Sequence, residues 1–349
     1  MTNPSLLELP PGVQLVYLAE GGANVIYRFV SAPVISTPIG RDRDLKSVSP
    51  IAVDVPPRFR GKLLRLRKET AADIPYKEIN RNFNTIVRPL FKADELVDQT
   101  LTSLPNGLLK RCNEQLRAAE ISGQRPKKRH GGYLCLHEPY GLLITDMTTF
   151  NEPGAILAEL KPKWLTQSPS APTTARRCRT CALREMKNQD LRLLGMKEQR
   201  SFCPLDLVSE CFDRIFHATS FIKGCNDPAR LARILHRNPT LQRLRTQQVS
   251  CNQVGLLGPP ATSQRTSLDM TLRDCTMFIR IPRDEKSPVE IRLGDLDLKT
   301  GAGGKSTYWR KLEVTLIEDG WYNGTNSEGP SDCGLQDATT LDPTFQYII

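Results

Sequence analysis

The sequence predicts an α+β protein with two lobes, strand-rich in its first part and mixed afterwards. Residues 13–17 and 25–29 alternate apolar and polar side chains around a turn that contains Gly21 and Gly22, a pattern typical of a β-hairpin. Beyond residue 200, segments with helical spacing precede two further apolar strand candidates. The 349 residues, of which 39% are hydrophobic, suffice for two modest domains. Strands first and a mixture afterwards favour the α+β class.

A third strand is expected beside this hairpin. In residues 61–68, Leu64 and Leu66 lie on one face and Arg65 on the other. An arginine on such a strand suits pairing with nucleotide phosphates, and glycines let backbone amides approach an anion. An ordinary hairpin turn and a basic edge strand that resists aggregation are the alternatives. The turn is not a P-loop, because no Gly-Lys-Ser/Thr sequence closes it.

The period of the apolar residues predicts the remaining elements. Helices are expected at residues 92–120 (broken near 105–107), 205–215, 231–244 and 306–317. Strands are expected at residues 133–137, 142–146, 275–281 and 290–298.

The composition favours anionic partners. The formal net charge of +10 suits nucleic acid, acidic lipid or phosphorylated metabolites, without choosing among them. No RNA-binding, zinc-finger or helix-turn-helix signature is present, which argues against nucleic acid. No apolar run is long enough to span a bilayer, and the proline-broken N-terminus lacks the features of a secretory signal. The cysteines are therefore expected to be reduced thiols.

The segment Glu159-Leu160-Lys161-Pro162-Lys163-Trp164 is the strongest candidate for an anion site. In an extended chain the two lysines point the same way, and their ammonium groups repel unless an anion lies between them. Arg179 and Lys187 add cations nearby in the sequence. Taken alone, clustered lysines are more often a solvated surface. Together with the rest of the chain, they predict a site for a densely phosphorylated small molecule.

Two aspartates at strand ends suggest phosphoryl-transfer chemistry. Asp274 begins one predicted strand and Asp295 follows another. Carboxylates on neighbouring strands can hold Mg²⁺ and orient an attacking hydroxyl. Aspartates that merely cap or turn the strands are an equal alternative.

Cys178 and Cys181 form a CxxC pair. A structural zinc site needs two more ligands at suitable spacing, and the nearest further cysteine in the sequence is Cys203. Zinc is therefore the minority interpretation, and we favour small buried thiols beside Arg179.

Together these segments resemble the inositol-pentakisphosphate 2-kinase family, most of all its fungal branch, from Glu20 to about Tyr322. The resemblance is most specific at Glu159 to Lys163, at Arg179 with Lys187, and at Asp295-Leu296-Asp297-Leu298-Lys299. It implies a two-lobed inositol phosphate kinase fold distantly similar to protein kinases. It also implies that ATP phosphorylates the 2-hydroxyl of inositol 1,3,4,5,6-pentakisphosphate to give inositol hexakisphosphate.

The resemblance further implies site roles, with ATP and Mg²⁺ as cofactors. Asp274 and Lys161 would be catalytic, and Asp295 with Asp274 would hold the metal. The nucleotide would contact Gly21, Gly22, Ala23, Asn24, Arg65, Asp146, Met147 and Glu159. The inositol phosphate would contact Arg125, Lys163, Arg179, Lys187, Lys299, Lys305 and Tyr308.

The chain departs from the family in two segments: Thr145-Asp146-Met147 stands where relatives often have Asn-Asp-His, and Leu183 stands where they often have histidine. The zinc ligands of the plant enzymes also have no counterpart. Residues 1–150 are expected to form the nucleotide-binding lobe, and residues 151–349 the inositol phosphate-binding and catalytic lobe. A monomer in the nucleus, the cytoplasm or both is expected, without nucleic acid or membrane partners. An inositol polyphosphate kinase of another positional specificity and a non-catalytic inositol phosphate-binding protein remain alternatives.

Overall fold

The computed structural model describes residues 6–10, 13–30, 32–33, 52–53, 55–70, 74–251, 255–258, 264–299, 304–325 and 332–335. They form two compact units. The first contains residues 1–81 and 97–146, and the second contains residues 82–96 and 147–349. Helices and mixed sheets are both present, in agreement with the α+β class.

The strands are β1 Leu7–Glu8, β2 Gln14–Glu20, β3 Asn24–Val30, β4 Ala32–Pro33, β5 Ala52–Val53, β6 Lys62–Arg67, β7 Gln99–Ser103, β8 Tyr140–Thr145, β9 Ile156–Leu160, β10 Thr276–Ile281 and β11 Glu290–Gly294. The helices are α1 Tyr76–Asn82, α2 Leu108–Ile121, α3 Arg179–Leu193, α4 Phe212–Thr219, α5 Pro228–Leu235, α6 Pro239–Cys251, α7 Gln264–Leu272 and α8 Lys305–Glu318. The described residues contain no helix that is both long and apolar enough to cross a membrane.

The first unit is built on a six-stranded sheet of order β1-β7-β8-β6-β3-β2. The predicted hairpin is β2–β3, and the predicted third strand, β6, pairs antiparallel with β3, so this part of the prediction is confirmed. Alternate residues of these strands, among them Val25, Tyr27, Leu64 and Leu66, are fully buried in the core of this unit. The alternation is therefore what fixes which face of the sheet is covered.

The second unit contains a three-stranded sheet of order β11-β10-β9, whose buried side chains share one core with those of helices α4 to α7. Both strand pairs are antiparallel, with Leu160 opposite Met277 and Thr276 opposite Gly294. Consequently the end of β9, the start of β10 and the end of β11 lie at one edge of this sheet. The chain segments that carry Lys161, Asp274 and Asp295 leave or enter the sheet at that edge.

Several predicted elements are wrong in part. The helix expected over residues 205–215 is divided into a 3₁₀ turn at Pro204–Val208 and α4. Residues 99–103, expected in a helix, form β7, where Thr100 and Thr102 bring the β-branched side chains that favour strands. Residues 133–137 make only an isolated bridge, between Leu134 and Lys68. The helix expected over residues 231–244 is interrupted, because Asn238 accepts hydrogen bonds from the backbone of Thr240 and Leu241 and thereby starts α6 ahead of its first-turn proline.

Candidate active site

Lysines and aspartates meet at this edge of the three-stranded sheet. The Asp274 carboxylate is paired with the Nζ atoms of Lys163 at 2.8 Å, Lys161 at 3.3 Å and Lys299 at 3.3 Å. Lys161 Nζ also lies 3.1 Å from Asp295 Oδ2 and donates to the Asp274 carbonyl oxygen at 2.8 Å. We call these five residues the Lys/Asp cluster. Asp274 precedes β10 and Asp295 follows β11, and these two strands are neighbours in one sheet, as the sequence predicted.

The Lys/Asp cluster is open to a ligand. Its side chains are between 28% and 45% exposed, so their charges are reachable from solvent. Burial alone would raise the pKa of Asp274, but Lys163, Lys299 and Lys161 outweigh it and hold that pKa at about 2. Burial likewise would lower the pKa of Lys161, yet the carboxylates of Asp295 and Asp274 raise it. Asp274 and Lys161 are therefore both charged at neutral pH.

The backbone is strained at two members of the cluster. Lys163 and Asp295 have φ angles of 59° and 57°, in the left-handed region that residues other than glycine rarely adopt. Such conformations persist where the surrounding structure holds them, and they concentrate at functional sites. Both side chains take part in the ion pairs of the cluster.

Two buried polar residues that the sequence reasoning missed hold the loops of the cluster. The Gln248 side chain on α6 accepts from Leu165 N at 2.9 Å and donates to the carbonyl oxygens of Lys163 at 2.8 Å and Leu272 at 3.1 Å. One amide thus ties the Lys163 loop to the end of α7, just before Asp274. The Thr271 hydroxyl on α7 similarly accepts from Lys299 N at 2.8 Å. No sequence pattern around either residue indicates this role.

The other residues of the second unit that were predicted to bind substrate make different contacts. Arg179 is buried, with Nε 2.6 Å from Glu313 Oε2 and its guanidinium 4.6 Å from the Trp164 ring centre. Lys187 on α3 and Lys305 and Tyr308 on α8 are exposed. In the described part of the chain, no hydrogen bond or ion pair joins these four residues to the Lys/Asp cluster. Glu159, on β9 opposite Phe278, is exposed, and partial desolvation raises its pKa.

The residues predicted to bind nucleotide phosphates lie in the first unit. Gly21 and Gly22 form the β2–β3 turn, and neither has a positive φ. Within the described residues, nothing comes within 4 Å of a Cβ built on Gly21, and the nearest atom for Gly22 is 3.8 Å away. The fold therefore does not require glycine at either position. Gly21 N donates to the Asn24 carbonyl oxygen at 2.9 Å, so this amide is used within the turn. The absence of side chains at Gly21 and Gly22 still lets an anion approach the rest of the turn backbone.

A buried network of charged side chains contacts this turn. Arg125 binds both carboxylate oxygens of Glu20, at 2.7 and 2.8 Å, and Lys68 also pairs with Glu20 while donating to the Gly21 carbonyl oxygen at 3.0 Å. Arg125 additionally pairs with Glu120. Arg125, predicted to reach inositol phosphates, is thus 2% exposed in this network. The ion pairs of Lys68 and Glu20 were not predicted, because the partners are distant in the sequence.

Further residues predicted to contact the nucleotide also lie in the first unit. Arg65 on β6 is buried, and its guanidinium lies 5.7 Å from the centre of the Tyr76 ring. Asn24, at the start of β3, makes a 2.8 Å hydrogen bond with the Tyr76 hydroxyl. Asp146 N donates to the Gly61 carbonyl oxygen at 2.9 Å, and Met147 is buried in the second unit.

The expectation for the CxxC pair was wrong in one respect. Cys178 and Cys181 are buried thiols beside Arg179, as predicted, but two further cysteines lie next to them. The Sγ atoms of Cys203 and Cys333 join them, and all four lie within 4.8 Å of one another. The sequence reasoning found no further ligands because Cys333 is 130 residues from Cys203 and comes near only in the folded chain.

Comparison with known proteins places the chain in a family. A family model described as inositol-pentakisphosphate 2-kinase matches residues 17–225 and 240–315. The chain belongs to the inositol-pentakisphosphate 2-kinase family. A protein from Yarrowia lipolytica named inositol-pentakisphosphate 2-kinase is 30% identical over 292 residues, which span 76% of this chain and 87% of that relative. The resemblance deduced from the motifs is therefore confirmed.

The match to the family model includes the hairpin turn and all five residues of the Lys/Asp cluster. It leaves out residues 226–239 and everything after residue 315. Three of the four clustered cysteines thus fall inside the match, and Cys333 falls outside it.

Proposed function

We propose that this protein transfers the terminal phosphoryl group of ATP to the 2-hydroxyl of inositol 1,3,4,5,6-pentakisphosphate, giving inositol hexakisphosphate. The observation that supports this most is the Lys/Asp cluster, in which Lys161, Lys163 and Lys299 converge on Asp274. A substrate with five phosphates needs convergent cations, and phosphoryl transfer needs a carboxylate that orients the attacking oxygen.

Each member of the cluster has a role in this proposal. Asp274 accepts the proton of the 2-hydroxyl and orients its oxygen, as a positioned acid–base group does. Lys161, which touches both carboxylates, lies where it can neutralise charge on the phosphoryl group in transit. Lys163 and Lys299 bind phosphates already on the ring. Arg125, Arg179, Lys187, Lys305 and Tyr308 are proposed as further substrate contacts from their motifs.

The carboxylates of Asp295 and Asp274 fit a magnesium ion. The Lys161 ammonium bridges them at 3.1 and 3.3 Å, so a cation already occupies the position between these oxygens. Oxygen ligands are those that Mg²⁺ prefers. When bound, Mg²⁺ would neutralise charge on the nucleotide phosphates.

The hairpin unit is proposed to bind ATP. Kinases with a glycine-rich lid hold phosphates with a glycine turn and a cation on an adjacent antiparallel strand. Here the adjacent strand is β6, and the cation is Arg65, which is buried on the face opposite Leu64 and Leu66. This supports a distant similarity to the protein kinase fold. Gly21, Gly22, Ala23 and Asn24 would cover the phosphates, while Asp146, Met147 and Glu159 would lie near adenine and ribose.

The test is turnover with ATP, Mg²⁺ and inositol 1,3,4,5,6-pentakisphosphate, with the products separated by anion exchange and the phosphorylated position assigned by phosphorus NMR. Inositol hexakisphosphate is the expected product. Phosphorylation of lower inositol phosphates alone would indicate another positional specificity. Tight binding without any product would indicate a binding protein, and either outcome would overturn the proposal.

A further inference from the structure

The four clustered thiols come from three separate parts of the second unit. Cys178 precedes α3, Cys181 lies in its first turn, Cys203 precedes the short helical segment Pro204–Val208, and Cys333 lies in the segment 332–335. Each is at most 5% exposed, and among the residues that the structure describes Leu205 and Leu335 pack against the group as partly buried apolar side chains. We call these four residues the thiol cluster.

The distances within the thiol cluster fit a tetrahedral metal site. The Sγ atoms of Cys178 and Cys203 are 3.7 Å apart, and those of Cys203 and Cys333 are 3.8 Å apart. Four thiolates at about 2.3 Å from a central Zn²⁺ have S···S separations of about 3.8 Å. A disulfide instead requires a separation of about 2.05 Å. The geometry therefore matches zinc coordination and not oxidation.

The surroundings suit anionic sulfur. Cys178 N donates to Cys333 Sγ at 3.1 Å, and Arg184 Nη2 donates to Cys181 Sγ at 3.3 Å while its Nη1 donates to the Phe202 carbonyl oxygen at 2.9 Å. Four thiolates and one Zn²⁺ carry a net charge of about −2, which backbone donors and a nearby guanidinium offset. Both CxxC sulfurs also lie at the start of α3, the positive end of that helix. Four neutral thiols in an apolar pocket would need none of these donors.

We propose that Cys178, Cys181, Cys203 and Cys333 bind one structural Zn²⁺. The ion joins the segment 332–335 to the start of α3, and Arg179 lies between the two CxxC ligands. Arg179 N donates to Gln167 Oε1 at 3.1 Å, and its guanidinium contacts Glu313 and Trp164, next in sequence to Lys163 of the Lys/Asp cluster. The zinc thus fixes the helix end that positions Arg179. This inference is independent of the proposed kinase activity.

The test is the metal content of the full chain, produced with a tag that lacks histidine and purified in reducing buffer without added metal. Mass spectrometry of the dissolved metal is expected to find about one zinc per chain. Replacement by Co²⁺ is expected to give the intense visible absorption of tetrahedral thiolate coordination. A folded protein that carries no zinc, or iron instead, would overturn the proposal.

Variants locate the ligands. Cys203→Ser and Cys333→Ser are expected to lose most of the bound zinc, whereas Cys211→Ser, at an exposed cysteine outside the thiol cluster, is the matched control and retains it. Should the ligand variants fail to fold, a mercurial titration of the wild type decides instead: zinc is expected to be released in step with the reaction of the four buried thiols. Zinc that stays bound in Cys333→Ser, or a disulfide between cluster cysteines in the native protein, would refute the assignment.

Discussion

Replacement of Asp274 by asparagine separates catalysis from binding. The carboxylate is the common partner of Lys161, Lys163 and Lys299, all within 3.3 Å, so its loss leaves their positive charge in place and removes one negative charge from among them. Asparagine keeps the size and one acceptor oxygen, but it is not a base. We therefore expect kcat to fall by about 10²- to 10⁴-fold.

Substrate affinity should move in the opposite direction. A phosphate held by the same lysines would lie about 4 Å from the Asp274 carboxylate, where like charges in water repel by about 1 kcal/mol. Removing that repulsion predicts binding that is about fivefold tighter at low ionic strength, and a smaller gain at high salt because screening acts on exposed charges. Stability should change by less than about 1 kcal/mol, since the cluster is half exposed.

The assay measures kcat by product formation and the dissociation constant of inositol pentakisphosphate by calorimetry. Asp284→Asn is the matched control, because it makes the same change in the exposed loop between β10 and β11, at the other end of the same strand pair. A kcat within tenfold of wild type would exclude Asp274 as the base. A parallel loss of affinity would refute the charge argument, and a similar loss in the control would show a general effect on the hairpin.

Three other changes test the support of the two sites. Gln248→Met removes the amide that ties Lys163 to the end of α7 and leaves its buried hydrogen-bond partners unsatisfied. We therefore expect a loss of about 3 kcal/mol in the free energy of unfolding, measured by denaturant titration, and a fall in kcat, measured by turnover. Gly22→Ala, at a turn that the fold leaves open, is expected to keep the melting temperature but raise KM for ATP, and an unchanged KM would remove this turn from the nucleotide site. Burial would raise the pKa of Glu20, but Arg125 and Lys68 outweigh it and lower that pKa from 4.5 to about 2. The ionised Glu20 carboxylate therefore stabilises the fold above pH 4.5, and this stabilisation is lost as the pH falls through about 2. Glu20→Gln should therefore destabilise the protein by about 3 kcal/mol at neutral pH, with the difference from wild type shrinking over that acidic window; a difference independent of pH would contradict the ion-pair account.

The hairpin and the strand-end aspartates could be predicted because their signals are local. Alternation in β2, β3 and β6 marks a covered face regardless of the rest of the chain. An aspartate before one strand and another after its antiparallel neighbour must share a sheet edge once the strands pair, as Thr276 and Gly294 do. Lys161, which directly follows β9, lies at the same edge because β9 pairs antiparallel with β10.

The supporting residues could not be predicted, because their roles arise only in the folded chain. Gln248 contacts Lys163 from 85 positions away, and a lone glutamine on a helix gives no signal of that kind. Cys333 reaches Cys178 across 155 positions. The cations Arg125 and Arg179 were recognised from their motifs, but the carboxylates that pair with them, Glu20 and Glu313, lie more than a hundred residues away.

The pairing of cations with carboxylates in the Lys/Asp cluster solves a problem of folding as well as of chemistry. Three ammonium groups that converge without an anion would repel one another, and the strained backbone at Lys163 and Asp295 would add to that cost. Asp274 and Asp295 serve as counterions for the lysines. In the proposed reaction a polyphosphate would replace them, because the cluster is partly exposed and each exposed pair contributes little, about 1 kcal/mol or less. The same two carboxylates are then released from their lysines at the position where a hydroxyl and a metal ion would need them.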